Sequence, residues 1–571
     1  MPSDRPSQRL DLGRHQRAVD TALARLDKQR LISRLLSGDP TLWKDGEDHA
    51  RVIANRLGWL RIAGAMASRV EQMRSFAQQV VDAGTRHVVL LGMGGSSLCP
   101  EVLRRTFTRR PGFPALLVLD STDPESIAAV ERAIDPRKSF FIVSSKSGTT
   151  IESQMLMQYF AARAPASRFA AITDAGTPLE ALARERGFAR VFTNPSDIGG
   201  RYSALSFFGM VPAACLGLDV ARLLRRGDEM ARTLDPVSPP AACEPVALGA
   251  ALGALGLAGR DKITFCLAPR IAGFGTWAEQ LIAESTGKEG QGLVPVEGEE
   301  LGPPSRYGKD RLFVRMTLRG SGGQGAERRL AALAREGHPR ISIALQNAYD
   351  LGAEFVRWEI AVAVASSIMG VDPFDEPNVK ESKDNTARVL ERHRATGSLP
   401  EEPLLLDKGG VRAFAAGGLD RRPAPRTLAQ LMTRLCRAAR RGKSYIGLMA
   451  YLRMDATTSA LTQRIRMKLR EACGVATTVG FGPRFLHSTG QLHKGGPPRG
   501  LFIQITSDKR IDLPIPGEGL SFGVLQAAQA AGDYQSLAGR GLRILRLHLR
   551  DGVPRGLERI LASVPSSRPR H

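Results

Sequence analysis

The sequence predicts an α/β protein built from parallel sheets that are covered on both faces. Three observations carry this. Short, fully apolar runs alternate with helical segments through most of the chain. The runs are continuous rather than alternating, as in strands buried on both sides. At 571 residues, 43% of them hydrophobic and 24% charged, the chain has the composition of a folded multidomain protein.

Residues 1–83 read as a helical segment, with apolar positions at helical spacing in HQRAVDTALARLDKQRLISRLL and RVIANRLGWLRIAG. The runs RHVVLLG, ALLVLD, SFFIVS, RFAAIT and ARVFT then define a first α/β sandwich over 84–235. The Pro- and Ala-rich break DPVSPPAACEPVA closes it. A second α/β unit over 248–400 contains KITFCLAP, RLFVRMTL, ISIALQ and the helical EFVRWEIAVAVASSIMG. A Gly- and Pro-rich connector is expected at 401–435. Residues 436–571 follow in the order strand, helix, strand, strand, helix, strand. That βαββαβ order predicts a small split-βαβ, ferredoxin-like domain.

Composition excludes several functions. The formal charge is +23, but 66 of the 80 basic residues are arginines scattered through the chain, with no basic run interleaved with aromatics. Nucleic acid is therefore not the expected partner, and the excess charge instead suits attraction of an anionic substrate. The six cysteines are far apart and form no CxxC pair, which argues against a zinc ribbon or a secreted disulfide framework. The N-terminus lacks the apolar core of a signal peptide. The uncharged stretch from Tyr202 to Leu218 is interrupted by Gly and Pro and falls short of a membrane span. A cytoplasmic address and no membrane association are expected.

Six segments carry candidate chemistry. Gly92-Met93-Gly94-Gly95-Ser96-Ser97 follows a strand, where glycines admit close approach of a ligand to the backbone; alone it is equally a tight turn. Ser145-Lys146-Ser147-Gly148-Thr149-Thr150 precedes a helix. Several hydroxyls and free N–H groups converge there at the positive end of a helix dipole, which suits a phosphate monoester without a metal. Simple N-capping would need only one hydroxyl. Gly199-Gly200-Arg201 opens an apolar helix, so Arg201 is either a surface charge or a guanidinium aimed at an oxyanion. Glu284 ends a helix buried through Trp277, Leu281 and Ile282, which makes it a candidate general base, although most helical glutamates are merely solvated. MGVDPFDEPNVKESK carries Lys383 into a helix. Finally, His487 and His493 lie six apart in FLHSTGQLHKGG with no Cys, Asp or Glu nearby, which favours proton handling over metal binding.

Taken together, GMGGSS, SSKSGTTIES, GGRYSALSFFGMVPAA, EQLIAESTGKEG and DPFDEPNVKESK resemble the phosphoglucose isomerase family, in family order. The likeness extends through YGKDRLFV and GPRFLHSTGQLHKGGP to LPIPGEGLSFG, and is greatest to the isomerase half of bacterial bifunctional transaldolase/phosphoglucose isomerase proteins. No transaldolase activity is expected, because the assigned residues leave no room for a (β/α)8 barrel of ~250 residues.

The resemblance implies two sugar-isomerase (SIS-type) subdomains and metal-free, cofactor-free interconversion of glucose 6-phosphate and fructose 6-phosphate in glycolysis and gluconeogenesis. It also implies, by analogy, a homodimer. Phosphate binding falls to Ser145, Ser147 and Thr150 with Lys146 nearby, and sugar contact to Gly95 and Ser96. Gly200 and Arg201 would face the enediolate. Glu284 would be the base, and Lys383 with a histidine would open the sugar ring.

Three departures stand out. Ser147-Gly148 replaces bulkier residues. Glu376, assigned to the substrate site, stands where a glutamine is usual. The histidine expected between Glu284 and Lys383 is represented only by His338, in an EGHPR turn, so His487 is the better candidate and His493 the alternative. An isomerase of another hexose phosphate is the in-class alternative. A non-catalytic sugar-phosphate-binding regulator is the alternative from another class, and retention of Glu284, Arg201, Lys383 and His487 together argues against it.

Overall fold

The computed structural model describes residues 7–566, save 401 and 422. Residues 1–6, the start of the stretch read for a targeting signal, lie outside the described residues. Among those described, no helix is long and apolar enough to cross a membrane.

The described residues form eighteen strands, arranged in three main sheets and a small hairpin. The first sheet holds β2 (His87–Gly92), β3 (Ala115–Leu119), β4 (Ser139–Ser144), β5 (Phe169–Asp174) and β6 (Arg190–Asn194) in the order β3-β2-β4-β5-β6, all parallel. Numbered along the unit, this is the doubly wound order 2-1-3-4-5. β4 and β5 are buried at every residue, because helices cover both faces.

The second sheet contains β7 (Lys262–Leu267), β8 (Val294–Val296), β9 (Arg311–Leu318) and β10 (Arg340–Leu345), parallel in the order β8-β7-β9-β10. Its far edge is filled by β1 (Ser7–Asp11), which pairs antiparallel with β10. The N-terminal segment is thus not wholly helical. Five residues of SQRLD give up solvent to cover an edge that would otherwise offer unpaired N–H and C=O groups.

The C-terminal region departs from the expected ferredoxin-like pairing. β13 (Tyr445–Ala450), β14 (Ala476–Phe481), β15 (Gly500–Ser507) and β18 (Arg543–Leu549) are parallel in the order β14-β13-β15-β18. This is again 2-1-3-4, so the third sheet is wound like the other two. A split-βαβ sheet would pair antiparallel neighbours. Here the short helix Gly490–Gly495 lies between the second and third strands and serves as the crossover that parallel pairing requires. Within the span expected as a connector, β11 (Leu406–Lys408) and β12 (Val411–Ala416) add two antiparallel strands beyond β18. The hairpin of β16 (Pro514–Ile515) and β17 (Leu520–Ser521) precedes the helix Phe522–Gly539.

The cores run between these units. One cluster joins helices and strands of the first two sheets through Trp59, Trp277 and Trp358. Another packs Phe522, Leu525 and Ala528 of the third unit on Phe141, Leu156 and Tyr159 of the first. A third sets Tyr445, Met449 and Phe502 against Val294 and Val296 of the second. The third unit therefore closes over the junction of the other two. The candidate residues converge at that junction.

Candidate active site at the junction of three sheets

The phosphate-type loop leaves the carboxyl end of β4. Ser145 is buried and its Oγ donates to Thr150 Oγ1 at 3.0 Å, while Ser147 and Thr149 share a hydroxyl contact of 2.9 Å. Gly148 takes φ +68, the left-handed turn that glycine adopts without a Cβ penalty. Thr150 occupies the N-cap of the helix Ile151–Ala161, yet its side chain makes no capping bond. The hydroxyls of this loop are therefore not consumed in capping the helix, and its first N–H groups face the loop. Lys146 is tied back instead: it pairs with Asp174 and donates to the Ser196 carbonyl at 3.2 Å.

Glycine brings two further loops together. A Cβ on Gly95 would lie 2.0 Å from the Gly200 carbonyl oxygen, so the turn after β2 and the turn carrying Arg201 pack backbone to backbone. Ser144 Oγ donates to the Ser96 carbonyl at 3.0 Å, fixing the first loop to β4.

Arg201 is buried, not a surface charge. Its guanidinium donates to the Pro373 and Asp375 carbonyls at 2.8 and 2.7 Å, and lies 3.0 Å from Glu376 and 3.4 Å from Glu284. One cation thus serves two carboxylates. Glu284, also buried, accepts from Gln280 Nε2 at 3.1 Å. Burial raises the Glu284 carboxyl above the ordinary range, Arg201 opposes that, and the charge of Glu376 adds to it. For Glu376, burial alone would raise the carboxyl, but Arg201 outweighs it and holds the group below the usual value.

The third unit contributes a histidine. His487 Nε2 lies 2.9 Å from Glu152 Oε1, which also accepts from Gln529 Nε2 at 2.8 Å. Gln529 in turn accepts from Thr122 Oγ1 at 2.7 Å. The His487 carbonyl accepts from Gln280 Nε2 at 2.8 Å, so one amide links the histidine loop to Glu284. A cavity of about 240 Å³ is lined by Thr149, Thr150, Glu152, Lys383, His487 and Gln529. It brings the phosphate-type loop, the exposed Lys383 and the histidine to one space.

The other histidines lie elsewhere. His493 is buried among Tyr445, Phe485 and Phe502, and burial pushes its pKa down to about 3. His338 packs edge-on to Phe313 with its pKa lowered to about 4, by burial first and then by Arg260. Lys494 forms a buried pair with Asp533 at 2.6 Å and belongs to the core.

Sequence reasoning missed Glu152, Gln280 and Gln529, whereas Lys288 stood out as one of the scarce lysines that fall in the motif segments. Glu152 had a signal: it is the one charged residue in the otherwise uncharged IESQMLMQYFA. Lys288, buried with its pKa lowered to about 8 chiefly by desolvation, binds the Asp372 carbonyl and lies 2.6 Å from Asp375 Oδ1. His49, Asp372 and Asp375 could offer ligand atoms within 4.8 Å of one another. The Lys288 ammonium already sits against that group and supplies a positive charge there.

Residues 61–291 match the phosphoglucose isomerase family. A glucose-6-phosphate isomerase of Rubrobacter xylanophilus is 26% identical over 425 residues, covering 64% of this chain and 94% of the relative. One of Heliobacterium modesticaldum is 28% identical over 394 residues, with 58% and 87% covered. Among solved structures, a glucose-6-phosphate isomerase of Chlamydia trachomatis superposes with a TM-score of 0.55 at 18% identity, covering 69% of this chain and 89% of that one. A hypothetical protein of Thermus thermophilus reaches 0.56 at 24% identity, covering 68% and 100%. The two solved structures show the fold, and each leaves close to a third of this chain unmatched.

Proposed function

We propose that this chain, whose residues 61–291 match the phosphoglucose isomerase family, is an aldose–ketose isomerase interconverting glucose 6-phosphate and fructose 6-phosphate. The observation that carries the reading is Glu284. A buried carboxylate, 3.4 Å from the Arg201 guanidinium and bridged by Gln280 to the His487 loop, supports a reading in which it would move a proton beside a group that would stabilise an oxyanion.

In this reading the 6-phosphate sits on Ser145, Ser147 and Thr150 at the start of the Ile151–Ala161 helix. His487, held by Glu152, passes a proton to the ring oxygen as the sugar opens, with Lys383 lining the same cavity. Glu284 then takes the proton from C2 and returns it to C1, and Arg201 stabilises the charge on the enediolate between the two steps. Gly95, Ser96 and Gly200 shape the wall along which the sugar lies. Lys146 acts through the loop rather than on the phosphate, because its ammonium is spent on Asp174. The reading carries with it a cytoplasmic homodimer, by analogy with enzymes of this type.

The test is conversion of fructose 6-phosphate by the purified chain in EDTA, beside Glu284→Gln. We expect activity in the first and a loss of at least about a thousandfold in the second. An inactive wild type that is still stabilised by fructose 6-phosphate would support the binding-protein alternative instead.

A further inference from the structure

A second cavity, of about 800 Å³, opens on the third sheet and shares no lining residue with the cavity at His487. Its floor is one face of three paired strands. Arg412 of β12, His548 of β18 and Thr506 of β15 are cross-strand neighbours, as are Phe414, Arg546 and Gln504 one step along. The opposite face of these strands is apolar and packed, with Val411, Ala413, Leu545 and Leu547 in the core. Strand alternation therefore presents a row of cationic and polar side chains to the cavity. The helix Phe522–Gly539 forms one wall, through Gln526, Ala527 and Ala530, and Ser398 to Pro400 lie in another.

Two side chains here lack the partners that burial demands. Arg546 is half-buried, lies 4.4 Å over the Tyr534 ring, and donates to Gln504 Oε1 and the Ala530 carbonyl at 2.6 and 2.9 Å. Among the described residues no carboxylate stands within 4.0 Å of its guanidinium, so this half-buried cation has only neutral hydrogen-bond acceptors, with the charges of Glu402 and Asp533 acting on it from further off. Gln526 is 1% exposed, and its Nε2 has no hydrogen-bond partner. The carboxylates in the lining are otherwise engaged: Asp508 pairs with His548 at 2.9 Å, and Glu402 accepts from Gln535 at 3.3 Å. Lys509, also in the lining, is held by Asp123 at 2.7 Å. Arg412 is 3.8 Å from Asp407 and remains 37% exposed.

The position has a topological counterpart. In doubly wound sheets, ligands bind beyond the carboxyl ends of the strands, where the winding reverses. In the first sheet that place is the end of the third strand in its own order, β4, where the phosphate-type loop begins. In the third sheet the corresponding strand is β15, and the residues that follow it, Asp508 and Lys509, line the cavity.

We propose that the third unit binds a small oxyanionic metabolite, its phosphate or carboxylate group held by Arg546, Arg412 and the Gln526 amide. Leu399, Phe414 and the Ala527–Ala531 stretch of the helix wall would contact an organic body. This site is separate from the isomerase site and does not depend on that assignment.

The experiment uses the full chain with the phosphate-type loop disabled, Ser145→Ala with Thr150→Ala, so that binding at the first sheet does not contribute. Melting temperature is followed against inorganic phosphate and against malonate, each matched in ionic strength with chloride. The expected result is a saturable rise with at least one anion, abolished by adding Arg546→Gln and weakened about tenfold in apparent affinity by Arg412→Gln. Which anion acts distinguishes a phosphate from a carboxylate ligand. Arg412 is partly exposed, so its variant serves if Arg546→Gln does not fold. Protection of both arginines from phenylglyoxal by the active anion, mapped by mass spectrometry, is the second measurement. No rise with either anion, or an equal rise in the arginine variants, would overturn the proposal.

Discussion

At the scale of single residues, the site depends on two loops touching through glycine and on one arginine shared by two glutamates. Adding a methyl to Gly95 places it 2.0 Å from a backbone oxygen that cannot rotate away, whereas a Cβ on Gly200 meets nothing within 4 Å. Gly95→Ala should therefore cost about 1–3 kcal/mol of stability and separate the loops. Gly200→Ala should leave the melting temperature unchanged. Calorimetry of the two variants together with kcat/KM checks this, and equal melting temperatures would refute the packing argument.

Glu376 sets the second residue-scale expectation. Its charge raises Glu284, and it also draws on the Arg201 guanidinium that would lower Glu284. The base works only when ionised, so the rate falls as pH drops through the Glu284 pKa. Glu376→Gln removes a negative neighbour and frees Arg201, and both changes favour ionised Glu284. The acid limb of the kcat/KM profile should move to lower pH, by less than about one unit because Glu376 is half exposed. A shift to higher pH would contradict the geometry.

Legibility at this scale divided by what defines a residue. Arg201, Glu284, Lys383 and His487 each stood in a recognisable run. Glu152 carried a local signal as the lone charge of its helix, but its bond to Gln529 spans 377 positions, which no local pattern encodes.

At the scale of elements, apolar runs translated into strands because burial on both faces demands uninterrupted apolar side chains. What was not legible were elements made by pairing alone. β1 is five residues of mixed polarity, β8 is three residues around Pro295 at a sheet edge, and β11 and β12 fall in a stretch rich in glycine and proline. The expected order βαββαβ lacked the short helix Gly490–Gly495 between its second and third strands, and order along the chain does not by itself decide whether neighbouring strands run parallel.

Helix contacts give a sharper test. In the helix Glu244–Leu257, a Cβ on Gly249 would lie 2.5 Å from the Ala361 carbonyl and 2.6 Å from Val364 Cβ of the buried helix Leu351–Met369. Replacing a mid-helix glycine normally gains up to about 1 kcal/mol in helix propensity. Here overpacking should outweigh that gain, so Gly249→Val is expected to lose about 1–3 kcal/mol net in urea denaturation. A stabilised variant would show that the two helices are not in backbone contact.

At the scale of the whole molecule, three sheets wound in the same order meet at one junction, and each supplies part of the candidate site. The first gives the phosphate-type loop and Arg201, the second gives Glu284, and the third gives His487 and Gln529. The histidine that seemed out of order along the chain is in place in space, because the third unit folds back over the junction. The central claim is that Glu284 carries a proton between adjacent carbons of a sugar phosphate. The most direct measurement is proton NMR of glucose 6-phosphate turning over in D2O, with wild-type chain and with Glu284→Gln. The account predicts solvent deuterium at C1 of the fraction of fructose 6-phosphate formed after the Glu284 carboxyl has exchanged with solvent, and neither conversion nor exchange in the variant. Undiminished conversion or exchange in Glu284→Gln would contradict it.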